Sequence, residues 1–156
     1  MLTNVVITRA LAVAVAVAGA AVGLASPAWA DDRLDGSFTF VDGPTSNTWS
    51  ITTFCNPEGT CAGTVSSSTG MLAQIHRPPD GPWTIERHDV SNGWVCPDGS
   101  SGAADLVYSF DPASLAGTLS STSKPGACND PNPLQASRPI NLQKVDDGFG
   151  LPGLGF

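Results

Sequence analysis

The segment 49–65 constrains the fold of this chain more than any other. Residues 49–55 read Trp-Ser-Ile-Thr-Thr-Phe-Cys, and the strand period of two places residues 49, 51, 53 and 55 on one face. A connection of five residues that contains Pro57 then returns the chain to Cys61. This pattern predicts a β-hairpin in which Cys55 faces Cys61, close enough for a disulfide bond.

The first thirty residues have the pattern of a secretory signal peptide. Arg9 is followed by an unbroken run of Leu, Ala, Val and Gly over residues 11–25, and residues 28–30 read Ala-Trp-Ala, which fits the small-x-small cleavage rule. We therefore expect residues 1–30 to be removed, the mature chain to begin at Asp31, and the protein to be secreted. An uncleaved anchor is the alternative, since a membrane span needs roughly 20 apolar residues.

The mature chain is acidic and long enough for one domain. After cleavage it keeps six basic and all 14 acidic side chains, a net charge of −8. The six cations are scattered along the sequence, so neither nucleic acid nor a membrane surface is an expected partner, and no span is expected after cleavage. We expect a β domain over residues 31–145, followed by a flexible Gly-rich tail over 146–156 that has a docking segment as its alternative function.

The four cysteines all lie in the exported part of the chain. An even number of cysteines in an oxidising compartment predicts a disulfide framework, for which three pairings exist. The hairpin favours Cys55–Cys61, which leaves Cys96 to pair with Cys128. Closing the shorter loop adds ~2 kcal/mol to the free energy of unfolding, and closing the longer one adds ~3.7 kcal/mol. A zinc site is the alternative, but the spacing of the cysteines matches it poorly.

Short alternating runs dominate the rest of the sequence, and no helical period persists. Asp-Gly pairs recur between these runs, and such pairs suit hairpin turns. We predict an all-β fold, an antiparallel meander of about eight or nine short strands closed as a small barrel or folded as a sandwich. The predicted core is Trp49, Ile51, Val65, Ile85, Leu106, Tyr108, Phe110, Leu119, Ile140 and Leu142.

The spacing of cysteines and tryptophans carries a resemblance. Its landmarks are Leu34-Asp35-Gly36, Trp49 with Ile51, Cys55, Cys61-Ala62, Trp83, Cys96 and Cys128. This order resembles the small exported domains of unknown function that are common in mycobacteria and related actinobacteria, over about residues 34–145. The resemblance implies a secreted domain and brings no catalytic residues with it.

The sequence offers little catalytic chemistry. His76 and His88 flank a predicted hairpin, but symmetric pairing about its turn places His76 near residue 84 or 85, so the two histidines do not face each other. Glu58 and Glu86 are the only glutamates, and no Gly-x-Ser-x-Gly motif is present. We therefore expect neither an enzyme nor a metal or cofactor.

Aromatic side chains are the candidate ligand-binding residues. Trp49, Trp83, Trp94 and Tyr108 lie in or near predicted strands, where they either pack in the core or line a ligand cavity. Small barrels are either filled by side chains or hollow enough for one ligand. We expect a filled barrel.

The predicted function is that of a secreted interaction module whose partner is an unidentified protein or a cell-envelope component. A filled barrel leaves recognition to the loops, and the candidates are residues 80–82, 96–99 and 129–133. A lipocalin-like barrel that carries a small apolar ligand is the alternative. A secreted enzyme is the third hypothesis.

Overall fold

The structure is a computed structural model, and it describes residues 33–146. The predicted signal peptide (1–30) and residues 147–156 of the predicted tail lie outside the described residues. The described part of the chain forms eight strands, which are β1 (Gly36–Asp42), β2 (Thr45–Cys55), β3 (Cys61–Ser67), β4 (Leu72–Arg77), β5 (Trp83–Val95), β6 (Ser101–Phe110), β7 (Ala116–Ser123) and β8 (Gln135–Lys144).

The eight strands form a closed antiparallel barrel. Each strand pairs with the next, and β8 pairs with β1 through contacts such as Phe40 opposite Leu142. We call the end that holds the β1–β2, β3–β4, β5–β6 and β7–β8 connections the mouth, and the opposite end the base. The prediction of an all-β barrel is confirmed, and closure removes the unpaired edges that an open sheet would expose.

Strand β5 is the longest strand of the described residues. Trp83 and Trp94 both belong to it, and it has 13 residues. Its pairing with β6 shifts register between Arg87 and Val90 and again between Val90 and Trp94. These β-bulges explain the broken pattern, because each extra residue interrupts the alternation without ending the strand.

The inward face of the sheet fills the barrel. All ten residues of the predicted core are buried. At the centre, the rings of Phe40 and Trp49 stack with centroids 4.2 Å apart, and Tyr108 and Phe110 pack against Trp49 edge-on at 5.7 and 6.0 Å. Aromatic pairs in these geometries contribute about 0.5–1.5 kcal/mol beyond the area that they bury. The middle of the barrel is therefore solid.

Two glycines let neighbouring strands approach closely around this core. A Cβ atom at Gly63 would lie 1.9 Å from the carbonyl oxygen of Thr52, and one at Gly117 would lie 2.1 Å from that of Ser109 and 2.8 Å from the ring of Phe110. Only residues without a side chain fit at such positions. At Gly117 a residue without a side chain therefore packs against the large ring of Phe110.

Both predicted disulfides are present. Cys55 lies directly opposite Cys61 in the β2–β3 ladder, with their Cα atoms 4.0 Å apart. The Cys96–Cys128 bond, with a Cα separation of 5.5 Å, ties the β5–β6 turn to a 3₁₀ turn (Ala127–Asn129) between β7 and β8. Two disulfides are typical of an oxidising, extracytoplasmic environment.

The residues that precede β1 pack across the base. The backbone N–H of Leu34 donates to Thr53 Oγ1 at 2.9 Å, and the N–H of Thr53 donates to Asp35 Oδ1 at 2.6 Å. Leu34 and Thr53 are both buried, so these bonds satisfy polar groups that water cannot reach.

Within residues 33–146, no helix has the length and apolar character needed to cross a membrane.

Candidate functional site

The mouth of the barrel holds a cavity of about 340 Å³. This volume lies at the lower end of the range for small-molecule sites, which is about 300–1,000 Å³. Its walls come from β5, β6, β7 and β8 and from the end of β1. The lining residues are Asp42, Arg87, Val90, Asn92, Gly93, Trp94, Val95, Leu106, Tyr108, Leu119, Ser121, Ala136 and Arg138.

The floor of the mouth cavity is apolar. Leu106, Tyr108 and Leu119 point inward from β6 and β7, and at most 7% of each is exposed. Tyr108 also packs edge-on against Phe40 and Trp49, so the central aromatic cluster supports the floor from below. Such a floor is rigid and favours contact with an apolar group.

The bulges of β5 build one wall of the cavity. The second bulge adds residues between Val90 and Trp94, which lie opposite Ala104 and Gly102 of β6. Trp94 is half-buried, packs against the core and lines the cavity. Bulges are common at barrel rims and beside binding sites, where they change the direction of a side chain.

A carboxylate on the outer face holds the first bulge. Asp89 adopts a left-handed backbone conformation with φ of 52°, and its N–H donates to Asp105 Oδ1 at 2.9 Å. This bond and the bond from Lys124 lower the pKa of Asp105. The left-handed conformation is costly for a residue with a side chain, and the hydrogen bond to Asp105 offsets part of that cost.

Two arginines bring positive charge to the mouth cavity. Arg138 donates from Nε and Nη2 to the two carboxylate oxygens of Asp42 at 2.6 and 2.7 Å, and this bond raises the pKa of Arg138. Arg87 is half-buried on the inward face of β5. Among residues 33–146, no side-chain hydrogen bond or ion pair engages Arg87. The donors of Arg87 are therefore available to a ligand.

The four aromatic candidates from the sequence do not form one site. Trp94 and Tyr108 meet in the mouth cavity. Trp49 is 2% exposed in the centre of the barrel, and Trp83 is 1% exposed at the base. The sequence missed Arg87 and the pair Asp42–Arg138, although all three occupy inward positions of their strands. The signal in the sequence is their spacing, because Arg87 lies two residues after Ile85 and Arg138 lies two residues before Ile140, and the alternation placed both of these in the core.

The candidate loops are divided between the two ends of the barrel. Residues 80–82 form the β4–β5 turn at the base, whereas residues 96–99 and 129–133 belong to connections at the mouth. The Cys96–Cys128 bond links the last two. They therefore form one braced rim beside the mouth cavity.

The histidines lie away from the cavity. His76 pairs with Thr84, as the predicted turn required, and is exposed on the outer face. His88 is also exposed, with Nδ1 at 3.6 Å from Asp105 Oδ1 and Nε2 at 3.9 Å from Glu86 Oε2. In the described part of the chain, no group of three or more His, Cys, Asp or Glu side chains is arranged to hold a metal ion.

Comparisons with protein-family models, curated proteins and solved structures gave no significant match to this chain. The inference of function therefore depends on the chemistry of the mouth cavity itself.

Proposed function

We propose that this protein is a secreted binding module and that its binding site is the mouth cavity. The observation that carries the proposal is the position of Arg87, a half-buried cation without a partner among residues 33–146, beside an apolar floor and Trp94. Guanidinium groups bind carboxylate, sulfonate and phosphate groups in a bidentate manner. The preferred ligand group is therefore flat or apolar at one end and anionic at the other.

The size of the cavity favours a group presented by a larger partner. The centre of the barrel is filled by the stack of Phe40 on Trp49, so a ligand can enter only as far as the floor. The braced rim of residues 96–99 and 129–133 then supplies surface for the rest of the partner. This arrangement supports an interaction module that binds a protein or a cell-envelope component. The partner would place an anionic end group in the cavity.

A carrier of a small apolar ligand is the second candidate, and the apolar floor of Leu106, Tyr108 and Leu119 favours it. Catalysis is not proposed. Arginine stays charged at physiological pH, and the carboxylate of Asp42 is held by Arg138, so these residues suit recognition better than proton transfer.

Anilinonaphthalene sulfonate tests the site, because it joins flat apolar rings to one anionic group. We expect this dye to bind saturably, as measured by its fluorescence, and decanoate to compete with it. Arg87→Gln should raise the dissociation constant about tenfold, as the loss of one charge-assisted contact predicts. Trp94→Leu should also weaken binding, whereas Arg87→Lys should retain most of it.

Leu72→Ser is the matched control, since Leu72 is 77% exposed on the outer face and does not line the mouth cavity. This variant should bind the probe like the parent protein. Equal binding by the parent, Arg87→Gln and Trp94→Leu would refute the proposed site. Saturable binding of decanol that does not depend on Arg87 would favour the carrier instead.

Export is the second part of the proposal. It is supported by the signal-like segment 1–30 and by the two disulfides, and it agrees with the resemblance to small exported actinobacterial domains. Sequencing of the amino terminus of protein from a culture supernatant should begin at Asp31. Recovery of the intact Met1 end in the membrane fraction would refute cleavage.

A further inference from the structure

We propose that the mouth cavity binds an acidic sugar residue, which is a pyranose ring that carries a carboxylate, as in a uronic acid. This inference rests on the function proposed above and names the chemical class of the anionic group that enters the cavity. The observation that carries it is a pair of buried hydroxyl groups, on Tyr108 and Ser121. Both residues line the cavity, and neither hydroxyl has a hydrogen-bond partner among residues 33–146.

The buried hydroxyl groups of the domain fall into two classes. In the described part of the chain, four residues that carry a hydroxyl are buried. Thr53 Oγ1 and Ser123 Oγ lie outside the mouth cavity, and each accepts a backbone N–H, at 2.9 and 2.8 Å. The hydroxyls of Tyr108 and Ser121 make no such bond with the described residues. Because buried polar groups are almost always hydrogen-bonded, the partners of these two belong inside the cavity.

The two hydroxyls interrupt an otherwise apolar surface. Tyr108 and Ser121 point inward from the neighbouring strands β6 and β7, and they are 6% and 5% exposed. Leu119 lies opposite Tyr108 in this ladder, and Leu106 lies opposite Ser121. An alkyl chain would contact both leucines but would leave both hydroxyls unpaired. A ligand with hydroxyls of its own can pair with them in either direction, because a hydroxyl both donates and accepts.

The pair of Asp42 and Arg138 adds further sites for hydroxyl groups. The Asp42 side chain is 17% exposed, and each of its carboxylate oxygens accepts one N–H from Arg138. Each oxygen keeps a second lone pair, and the guanidinium keeps further N–H donors. The pair therefore offers acceptors and donors side by side, which suits the neighbouring hydroxyls of a sugar ring.

Arg87 and Trp94 explain why the sugar is acidic and cyclic. The guanidinium of Arg87 has no partner among the described residues, and it can bind a carboxylate with two parallel hydrogen bonds. The indole of Trp94 lines the wall, and no other aromatic ring of residues 33–146 packs on it. It can therefore contact the C–H face of a pyranose ring. An acidic sugar joins the carboxylate, the hydroxyls and the apolar face, whereas a fatty acid or a phosphate group has only some of them.

Three ligands with rings of the same size separate these features. Methyl glucuronide has the carboxylate and the hydroxyls, methyl glucoside has hydroxyls but no charge, and cyclohexanecarboxylate has the charge but no hydroxyls. Each is titrated into the ¹⁵N-labelled mature protein and followed by amide chemical shifts. We expect saturable shifts around Trp94, Tyr108 and Ser121. The dissociation constant of methyl glucuronide should be at least tenfold lower than that of either other ligand.

Two conservative variants remove the hydroxyls. Tyr108→Phe and Ser121→Ala should each raise the dissociation constant of methyl glucuronide about three- to tenfold and change that of cyclohexanecarboxylate much less. Because neither hydroxyl bonds to the described residues, the melting temperature should stay close to that of the parent protein, which separates binding from folding. Ser120→Ala is the matched control, since Ser120 is the adjacent residue of β7 and is exposed on the outer face. It should bind methyl glucuronide like the parent.

A hyaluronan tetrasaccharide with glucuronate at its non-reducing end identifies the source of the sugar. Tighter binding than that of methyl glucuronide would assign the site to the end of a glycan chain, whose next residues contact the rim. Equal or weaker binding would assign it to a small sugar acid.

Two results would overturn the acidic sugar and leave the proposed binding function intact. One is cyclohexanecarboxylate or methyl glucoside binding as tightly as methyl glucuronide. The other is binding of anilinonaphthalene sulfonate that depends on Arg87 without saturable binding of methyl glucuronide. If neither the dye nor any of the three ligands binds, the proposed function itself fails.

Discussion

Replacing Gly63 by Ala should lower the free energy of unfolding by about 2–3 kcal/mol, because overpacking of this size costs about 1–3 kcal/mol and disturbs neighbouring hydrogen bonds. The new Cβ would lie 1.9 Å from the oxygen of Thr52 and 2.7 Å from the Cα of Thr53. Real Cβ atoms essentially never approach other atoms within 3.0 Å, so the first contact must open by about 1.1 Å. Both neighbours are backbone atoms, and neither can move by rotating a side chain.

The required movement separates β2 from β3 where Gly63 pairs with Thr53. The pair of Ile51 and Val65 lies two residues away and is almost fully buried, so the separation would also loosen the core. A gain from the lower conformational entropy of the unfolded Ala chain, about 0.4–1 kcal/mol, offsets part of the loss. The estimate of about 2–3 kcal/mol includes this gain.

Urea unfolding followed by tryptophan fluorescence measures this loss as a lower midpoint with an unchanged slope. Thr64→Ala is the matched control, because Thr64 is the next residue of β3 and is exposed on the outer face. It should change the free energy of unfolding by less than about 1 kcal/mol. A loss at Gly63 no larger than the loss at Thr64 would mean that the strands move apart without cost, and the close approach would then contribute nothing to stability.

Three further predictions concern the stability of the domain. Replacing Cys96 and Cys128 together by Ala should lower the free energy of unfolding by about 3.7 kcal/mol, and a loss below about 1 kcal/mol in urea would contradict the loop-closure argument. Trp49→Ala should cost about 3–5 kcal/mol in a thermal unfolding experiment, and an unchanged melting temperature would contradict its central position. Acidification should destabilise the fold, because the N–H of Asp89 lowers the pKa of Asp105 in the folded state. That contribution is complete above the unfolded pKa of about 3.9 and is lost as the pH falls through the lower folded pKa, so Asp105→Asn should reduce the pH dependence of the urea midpoint.

Local patterns in the sequence were enough to predict most of the strands, ten residues of the core and the disulfides. Alternation with a period of two depends only on neighbouring residues, and all ten residues that it placed in the core are buried. The hairpin that joins Cys55 to Cys61 closes over five residues, so its register also follows from local geometry. With that pair assigned, Cys96 and Cys128 could pair only with each other.

Closure of the barrel and the mouth cavity depended on the tertiary structure. The pairing of β1 with β8 joins Phe38 to Lys144, and such closure follows from the summed twist and stagger of all eight strands rather than from any one of them. The bulges that direct Trp94 into the mouth are register shifts between two strands, so one strand's sequence does not reveal them. The charged residues of the mouth cavity are scattered in the sequence for the same reason: Asp42, Arg87 and Arg138 line one cavity only because β1, β5 and β8 carry them to the same end of the barrel.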